Sequence, residues 1–245
     1  MEYYPVYLNL CGKKVLVVGG GKVALRKTKR LLKANASTIV VSPFFVHGFS
    51  NLKSHKNLLL NLKKFDTNDL YDVFLVFAAT DDLILNSEIA DICERKKIIC
   101  NIADNLEKSA FIVPSSIKRG DLILSISTGG KSPALSRKLR KDFEKKFGDE
   151  YEVFLYFLGI VREEILEKRR GNPENKGIFR EMVFGNLLNS IKNKDIEEIE
   201  NELEEILNNE ALSGKLMEKL LKDKNEYFFD VEKNSFSFLS KESDL

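Results

Sequence analysis

The chain has 245 residues, 43% of them hydrophobic and 31% charged, and this length allows one large core with a smaller unit, or two small domains. A formal net charge of only +2 gives no argument for a nucleic-acid partner, and none is expected. The three cysteines form no C-x-x-C pair and no signal peptide is evident, which favours a reducing cytoplasm over a disulfide framework. The longest apolar stretch, around residues 153–161, is too short for a membrane span, and the two histidines have no cysteine at ligand spacing, so we expect neither a membrane segment nor a metal site.

Residues 1–109 alternate between apolar strands and helical segments. The predicted strands are 14–18, 38–41, 58–62, 73–79 and 98–103, and the predicted helices are 22–33 and 82–97. Asn35 follows the first helix, where asparagine can adopt the left-handed backbone that ends a helix. Because strands that alternate with helices form parallel sheets with right-handed crossovers, this region is predicted to be a Rossmann-type, doubly wound α/β domain.

The turn after the first predicted strand carries the pattern G-x-G-x-x-A in Gly19, Gly21 and Ala24. In a dinucleotide site the first glycine makes the tight turn, the second lets the backbone approach a pyrophosphate, and the alanine allows close packing of helix on strand. The N–H groups at the helix start would then face the phosphates. The alternative is a tight turn that requires glycine and binds nothing.

Two further strand ends bear on the choice of cofactor. The second predicted strand ends in Ser42-Pro43-Phe44 instead of the acidic residue that commonly binds the adenosine ribose, so backbone groups and the Ser42 hydroxyl would have to contact it. No arginine stands there to bind a 2′-phosphate, which favours NAD over NADP. After the fourth predicted strand, Ala79 and Thr80 are small enough for a cofactor to pass over them, and the aspartates at 81 and 82 are interpreted as helix caps.

The fifth predicted strand ends in Asp104, the candidate catalytic residue. A carboxylate at the carboxyl end of a parallel strand lies where ligands bind in open α/β sheets. Because the chain has only two histidines, a general base has to be a carboxylate, a lysine or a tyrosine, and Asp104 is the best placed. The alternative is a loop or capping aspartate, and position alone does not decide between the two.

The pattern changes after residue 110. Short strands are predicted at 111–114 and 122–127, with a hairpin turn at 118–121, and Ser132 and Pro133 are a favourable N-cap and first residue for a helix to about 147. Residues 110–148 are therefore predicted to form a small α+β segment. Residues 149–245 are predicted to form a helical C-terminal domain and tail, with the clearest amphipathic helix at 196–207 and no assignment for 227–245.

A second glycine turn precedes that helix, in Thr128, Gly129, Gly130, Lys131 and Ser132. Backbone N–H groups, a helix N-terminus and a nearby lysine make such a turn suitable for binding an anion. The spacing differs from that of a nucleoside-triphosphate loop. The alternative is a connector between hairpin and helix without a ligand.

Six segments in order resemble the precorrin-2 dehydrogenase/sirohydrochlorin ferrochelatase family, the dehydrogenase module of siroheme synthases. The resemblance covers about residues 3–147 and is specific because all six occur in register. The matching segments are Tyr4-Pro5-Val6-Tyr7-Leu8, residues 18–27 with the first glycine turn, Ala78-Ala79-Thr80-Asp81-Asp82 with Asn86, Asn101-Ile102-Ala103-Asp104, Phe111-Ile112-Val113-Pro114, and residues 127–135 with the second glycine turn.

The resemblance implies NAD-dependent oxidation of precorrin-2 to sirohydrochlorin, followed in some members by insertion of Fe²⁺, a substrate, to give siroheme. It implies a homodimer formed through the middle segment, and no methyltransferase module is expected. By position, Asp104 would act in both chemical steps, Lys22, Val23, Pro43 and Phe44 would line NAD beside Ala79 and Thr80, and Thr128 with the rest of its turn would contact the acidic tetrapyrrole. Asn35 departs from the glycine usual at that position.

Three other functions remain open. The first is a dehydrogenase alone, with a separate chelatase for the metal. The second is an NAD(H)-sensing regulatory domain, which would need the first glycine turn but neither Asp104 nor the second turn. The third is a reductase for another small metabolite, for which a catalytic histidine, lysine or tyrosine motif is missing from the sequence.

Overall fold

The computed structural model describes residues 2–103, 105–222, 228–230 and 235–237. Two compact units make up the chain. Among the described residues, the first consists of those up to Val113 together with Gly129–Lys131, and the second consists of Pro114–Thr128 and those from Ser132 onwards. The finer division predicted after residues 109 and 148 stays a prediction.

A five-stranded parallel sheet forms the centre of the first unit, in the order β3-β2-β1-β4-β5. It confirms the predicted doubly wound α/β fold. The strand order reverses at β1, since the chain adds β2 and β3 on one side of it and β4 and β5 on the other. Open α/β sheets bind ligands at the carboxyl ends of the strands at such a point of reversal. The elements are β1 (Lys14–Val18), α1 (Lys22–Lys33), β2 (Ser37–Ser42), β3 (Leu58–Leu62), β4 (Leu75–Ala78), α2 (Leu83–Arg95) and β5 (Ile99–Ile102), with 3₁₀ turns at His47–Leu52 and Thr67–Leu70.

Each face of the sheet has its own apolar cluster. Val15, Val17 and Phe77 face the side covered by α1 and the first 3₁₀ turn, where Leu31 and Phe49 pack against them. The alternate residues of the same strands face the side covered by α2; this second cluster includes Leu16, Val18, Val76, Ile89 and Cys93. Because both faces are covered, residues 15–18 of β1 and all four residues of β4 are apolar and buried, as expected for strands of a parallel sheet.

The end of α1 and the start of α2 are formed by the residues that the sequence predicts. Asn35 has φ +54°, and the N–H groups of Asn35 and Ala36 donate to the carbonyls of Leu32 and Leu31, which closes α1 with a Schellman motif. Asp82 caps α2, since its carboxylate accepts the N–H groups of Ile84 and Leu85.

The second unit begins with an antiparallel hairpin, β6 (Ser115–Arg119) and β7 (Leu122–Ile126). The strand predicted at 111–114 is wrong. Arg119 pairs with Leu122 across the two-residue turn that begins at Gly120, whose φ is +54°. Counted back from this turn, Ser115 pairs with Ile126, the last residue of β7, so no residue of β7 is left to pair with the segment before Ser115. Pro114 has no N–H to extend the ladder. The carbonyl of Phe111 instead accepts a hydrogen bond from the Asn101 side chain.

Six helices follow in the described part of the second unit. The predicted helices 133–147 and 196–207 are confirmed as α3 and α7, and Val153, Phe157 and Val161 of α4 centre the apolar core of this unit. Within the described ranges, no helix is both long and apolar enough to cross a membrane. The helices are α3 (Pro133–Lys146), α4 (Glu150–Lys168), α5 (Asn175–Phe184), α6 (Leu187–Asn193), α7 (Ile196–Leu207) and α8 (Glu210–Lys222), and β8 (Phe228–Asp230) pairs with β9 (Ser235–Ser237) in the stretch left unassigned.

Candidate functional site

Three consecutive glycines connect β1 to α1, and each has a different steric environment. Gly19 has φ +120°, and a Cβ there would overlap the carbonyl oxygen of Ala79 at the end of β4. At Gly20 a Cβ would overlap the carbonyl oxygen of Phe44 and lie 2.8 Å from Oγ of Ser42. The first two glycines are therefore required by the fold. Sequence reasoning gave Gly20 no role, although a third glycine in the run was a signal for it.

Gly21 differs, because a Cβ there would meet no described atom within 4 Å. Its backbone is extended, with φ −81° and ψ −175°, and it is the N-cap of α1. Ala24 is fully buried one turn later, which lets the helix start close to the sheet. The space in front of Gly21 at a helix N-terminus is suited to a phosphate group. These residues therefore fit the phosphates of a dinucleotide.

The end of β2 forms the adjoining rim. Phe44 is 53% exposed and Pro43 is also exposed, so both can contact a ligand, as can the exposed Lys22 and Val23 at the start of α1. Ser42 is different: it is 2% exposed, and its Oγ accepts the N–H of Phe44 at 3.4 Å. Its hydroxyl supports the turn, whereas the sequence analysis expected it to contact the ribose.

A buried amide organises the end of β4. Oδ1 of Asn86, in α2, accepts the hydroxyl of Thr80 at 2.7 Å and the N–H of Thr80 at 3.2 Å, and its Nδ2 donates to the carbonyl of Thr80 at 2.9 Å. These bonds fix Thr80 next to Ala79, which lies against Gly19. The structure thus brings together the predicted cofactor residues at the carboxyl ends of β1, β2 and β4. The family resemblance includes Asn86 but assigns it no role. A polar residue on the apolar side of helix α2 was the sequence feature that could have indicated one.

A polar network surrounds the end of β5. Nζ of Lys27, in α1, donates to Oδ1 of Asn101 at 2.8 Å and lies 4.3 Å from the ring centroid of Phe77. Nδ2 of Asn101 in turn donates to the carbonyl of Phe111 at 2.9 Å. The buried Ser109 accepts the N–H of Ile102 at 2.9 Å and donates to the carbonyl of Asn105 at 2.6 Å. Sequence reasoning missed all of these contacts.

Asp104, the predicted catalytic residue, lies outside the residues that the structure describes. Its role stays a prediction. Of the described thiols, that of Cys100 in β5 is buried, and its hydrogen bond with Cys93, followed by burial, raises its pKa. That thiol is therefore protonated near neutral pH and is no candidate nucleophile.

The second glycine turn is held by its own side chains. Oγ1 of Thr128 accepts the N–H of Ser132 at 3.2 Å and lies 3.1 Å from Oγ of Ser136, while Oγ of Ser132 accepts the N–H of Leu135 as the N-cap of α3. Gly129 and Gly130 have positive φ values of +59° and +81° and are exposed, as is Lys131. The connector geometry is therefore present, and the tetrapyrrole contacts expected of these five residues stay a prediction. Across the described ranges, no group of three His, Cys, Asp or Glu side chains is placed to hold a metal ion.

Comparison with known proteins gives matches along most of the chain. A family model for NAD(P) binding matches residues 6–115, and the model "Sirohaem biosynthesis protein central" matches residues 119–146. The siroheme synthase of Pseudoalteromonas translucida is 31% identical over 211 residues, which are 86% of this chain and 45% of that protein. The siroheme synthase of Mannheimia succiniciproducens is 32% identical over 83% of this chain and 43% of that protein.

The chain thus spans about half the length of these curated relatives. A solved structure gives a match of a different extent. The precorrin-2 dehydrogenase SirC is 26% identical, with a TM-score of 0.65, over 84% of this chain and 100% of the SirC chain.

Proposed function

Because this chain belongs to the siroheme biosynthesis family that these matches define, we propose that it oxidises precorrin-2 to sirohydrochlorin with NAD as the hydride acceptor. The observation that carries the proposal is the open N-terminus of α1 in front of Gly21, next to the strand ends where a dinucleotide binds. The match to the whole length of a precorrin-2 dehydrogenase supports the substrate.

The proposed cofactor is NAD rather than NADP. Backbone N–H groups at the start of α1, around Lys22 and Val23, would bind the phosphates, and Gly19 and Ala24 shape the turn. Pro43 and Phe44 would contact the adenosine end, with Ala79 and Thr80 beneath the cofactor. The end of β2 carries no arginine in the sequence to pair with a 2′-phosphate, which supports NAD.

Proton transfer is assigned to the carboxylate of Asp104. Oxidation of precorrin-2 removes one hydride and one proton, and bound NAD supplies the hydride acceptor, so the chain has to orient the macrocycle and accept the proton. The turn at 128–132 and the basic residues that follow it would bind the carboxylates of the acidic tetrapyrrole. The cations are Lys131 within the turn and, after it, Arg137, Lys138, Arg140, Lys141, Lys145 and Lys146.

The test is an anaerobic visible spectrum of the purified chain with precorrin-2, first without and then with NAD. Sirohydrochlorin that forms only with NAD supports the proposal, and activity with NADP instead would contradict the cofactor assignment. Fe²⁺ is then added as a substrate. Conversion to siroheme faster than the uncatalysed rate would make the enzyme bifunctional, and no acceleration would require a separate chelatase.

The proposal includes a cytoplasmic homodimer that acts without a nucleic acid or membrane partner. The three cysteines are free thiols, as a reducing compartment maintains them.

If the chain binds NADH but does not oxidise precorrin-2, it is an NAD(H)-sensing domain instead, and the assignment of Asp104 as the base fails together with the proposed enzyme activity.

A further inference from the structure

Lys27 occupies an unusual place for a residue of a basic helix. Helix α1 carries six basic residues and no acidic one, a pattern that is commonly a solvated face. Lys27 instead points inward and is half-buried, with its ammonium group against the ring of Phe77 and the amide of Asn101. Both contacts lie on the same face of the sheet, since Phe77 and Asn101 are register partners in β4 and β5.

From Asn101 the contact continues to the chain after β5. The amide of Asn101, which is 5% exposed, accepts from Lys27 and donates to the carbonyl of Phe111. The ring of Phe111 also packs edge-to-face on Phe77, with 5.5 Å between ring centroids, and the N–H of Ala110 donates to the carbonyl of Cys100. The segment that leaves β5 therefore returns to the same strand, beside the ammonium group of Lys27.

These contacts start from Lys27 in helix α1, the helix whose N-terminus is the proposed phosphate site. Lys27 follows Lys22, the first residue of α1, by five positions, which is about 7.5 Å along the helix axis. The start of α1 is the proposed phosphate site, and the segment after β5 contains position 104. Lys27 thus forms a polar link between helix α1, which begins at the proposed phosphate site, and the strand that leads to the proposed base.

We propose that Lys27 is a positioning residue for the oxidation step: through Asn101 it fixes the segment after β5 relative to helix α1 and the cofactor bound there. This inference rests on the proposed function. Lys27 lies five residues beyond the first residue of α1, more than a turn from the proposed phosphate site, so its removal should leave cofactor binding intact. A displacement of about 1 Å in reacting groups can lower a rate by two orders of magnitude, so the turnover should suffer.

The experiment compares wild type with Lys27→Met, which keeps the length of the stem and removes the donor. We expect kcat for precorrin-2 oxidation to fall about 10- to 100-fold, while KM for NAD and the Kd of NADH, followed by its fluorescence, stay within about twofold. Lys27→Arg keeps a charged donor and should recover part of kcat. Lys56→Met, at an exposed turn in the same unit, is the matched control and should behave as wild type.

Two outcomes overturn the role of Lys27: a Lys27→Met enzyme with kcat within twofold of wild type, or a variant in which NADH binding falls together with kcat. If Lys27→Met does not fold, Lys27→Gln takes its place, with the same expected split between kcat and KM. A wild-type chain that fails to oxidise precorrin-2 contradicts the proposed function itself, which is a separate result from an active wild type with an equally active variant.

Discussion

Gly20 and Gly21 are neighbours in the chain, but a side chain would meet different surroundings at each. At Gly20 it would collide with backbone, the carbonyl of Phe44, which cannot turn away as a flexible side chain can. At Gly21 it would enter open space at the helix N-terminus. Glycine is therefore required by the fold at position 20, whereas at position 21 it leaves open the space proposed for the phosphates.

A pair of alanine variants separates these two requirements. Gly20→Ala should lower the melting temperature by several degrees, because the β1–α1 turn or the Phe44 backbone must shift. Gly21→Ala should melt within about one degree of wild type, since its φ of −81° suits alanine, and should weaken NADH binding about tenfold or more. Thermal unfolding and NADH titration of both variants provide the check; equal losses of stability would contradict the distinction.

Asp104→Asn tests the assigned base. We expect the variant to bind NADH with wild-type affinity and to melt normally, but to lose at least about 100-fold in the rate of precorrin-2 oxidation, because an amide cannot accept the proton. The measurement is single-turnover absorbance with NAD in excess. An Asp104→Asn enzyme that retains wild-type activity would remove the carboxylate from the mechanism.

At the scale of single residues, sequence patterns detect what is local and miss contacts between distant residues. Gly19 and Gly21 could be singled out from the sequence because the spacing of a phosphate turn is contained within six residues. The partner of Lys27 is 74 positions away, and nothing in a basic helix distinguishes the one lysine that points inward. Ser42 was misjudged for the same reason: its burial depends on how the chain after β2 turns at Phe44.

At the scale of elements, helix bounds agree with the predicted ones where a capping residue in the sequence indicates the end of the helix. Asn35 and Asp82 mark the end of α1 and the start of α2, and both helices lie within a residue or two of their predicted bounds. The segment 111–114 failed because an apolar run next to a proline has no partner strand until the hairpin register is known. That register is set at Gly120, six residues after Pro114.

One ion cluster joins two helices of the second unit. Glu164 of α4 is buried, and its Oε1 lies 2.7 Å from Nζ of Lys215 in α8 and 2.9 Å from Nζ of Lys168. The hydrogen bonds from Lys215 and then Lys168 lower the pKa of Glu164 to about 2 from its usual 4.5. Because the carboxylate is ionised more readily in the folded chain, it contributes stability above pH 4.5, and this contribution is lost as the pH falls towards 2.

Glu164→Gln should therefore lower the free energy of unfolding at pH 7 by about 1–2 kcal/mol, a value reduced from the full shift because both lysines are half-exposed. The difference from wild type should shrink below pH 4.5. Urea unfolding at a series of pH values measures it, with the exposed Glu163→Gln as the control on the same helix. A difference that is constant down to pH 2 would show that packing, not charge, is responsible.

At the scale of the whole molecule, the parallel sheet and the helical second part could be predicted, because periodicity persists over tens of residues. Assembly is harder to predict, since it depends on surfaces rather than on periodicity. The second unit exposes two apolar side chains in the segment implicated in dimerisation by the family resemblance: Ile123 of β7 is 39% exposed and Leu135 of α3 is 45% exposed.

We expect light scattering to give twice the chain mass of 28.0 kDa. Ile123→Asp should convert the dimer to monomers, because a charge cannot be buried in an apolar interface without a partner. Leu62→Asp, on an exposed position of the first unit, introduces the same charge and should leave the dimer intact. A wild-type monomer, or a dimer that survives Ile123→Asp, would exclude this interface.

The buried hydroxyl of Ser109 has a consequence for how the sequence of this chain can vary. Since Ser109 bonds to the backbone of Ile102, the stretch between them begins and ends at one fixed point of the sheet. Closing a longer stretch at a fixed point costs little, about 0.6 kcal/mol for each doubling of its length. Residues between Ile102 and Ser109 could therefore be inserted or exchanged, in evolution or by grafting, at little cost in stability. Such changes would alter the chemistry at the carboxyl end of β5 while the sheet stays the same.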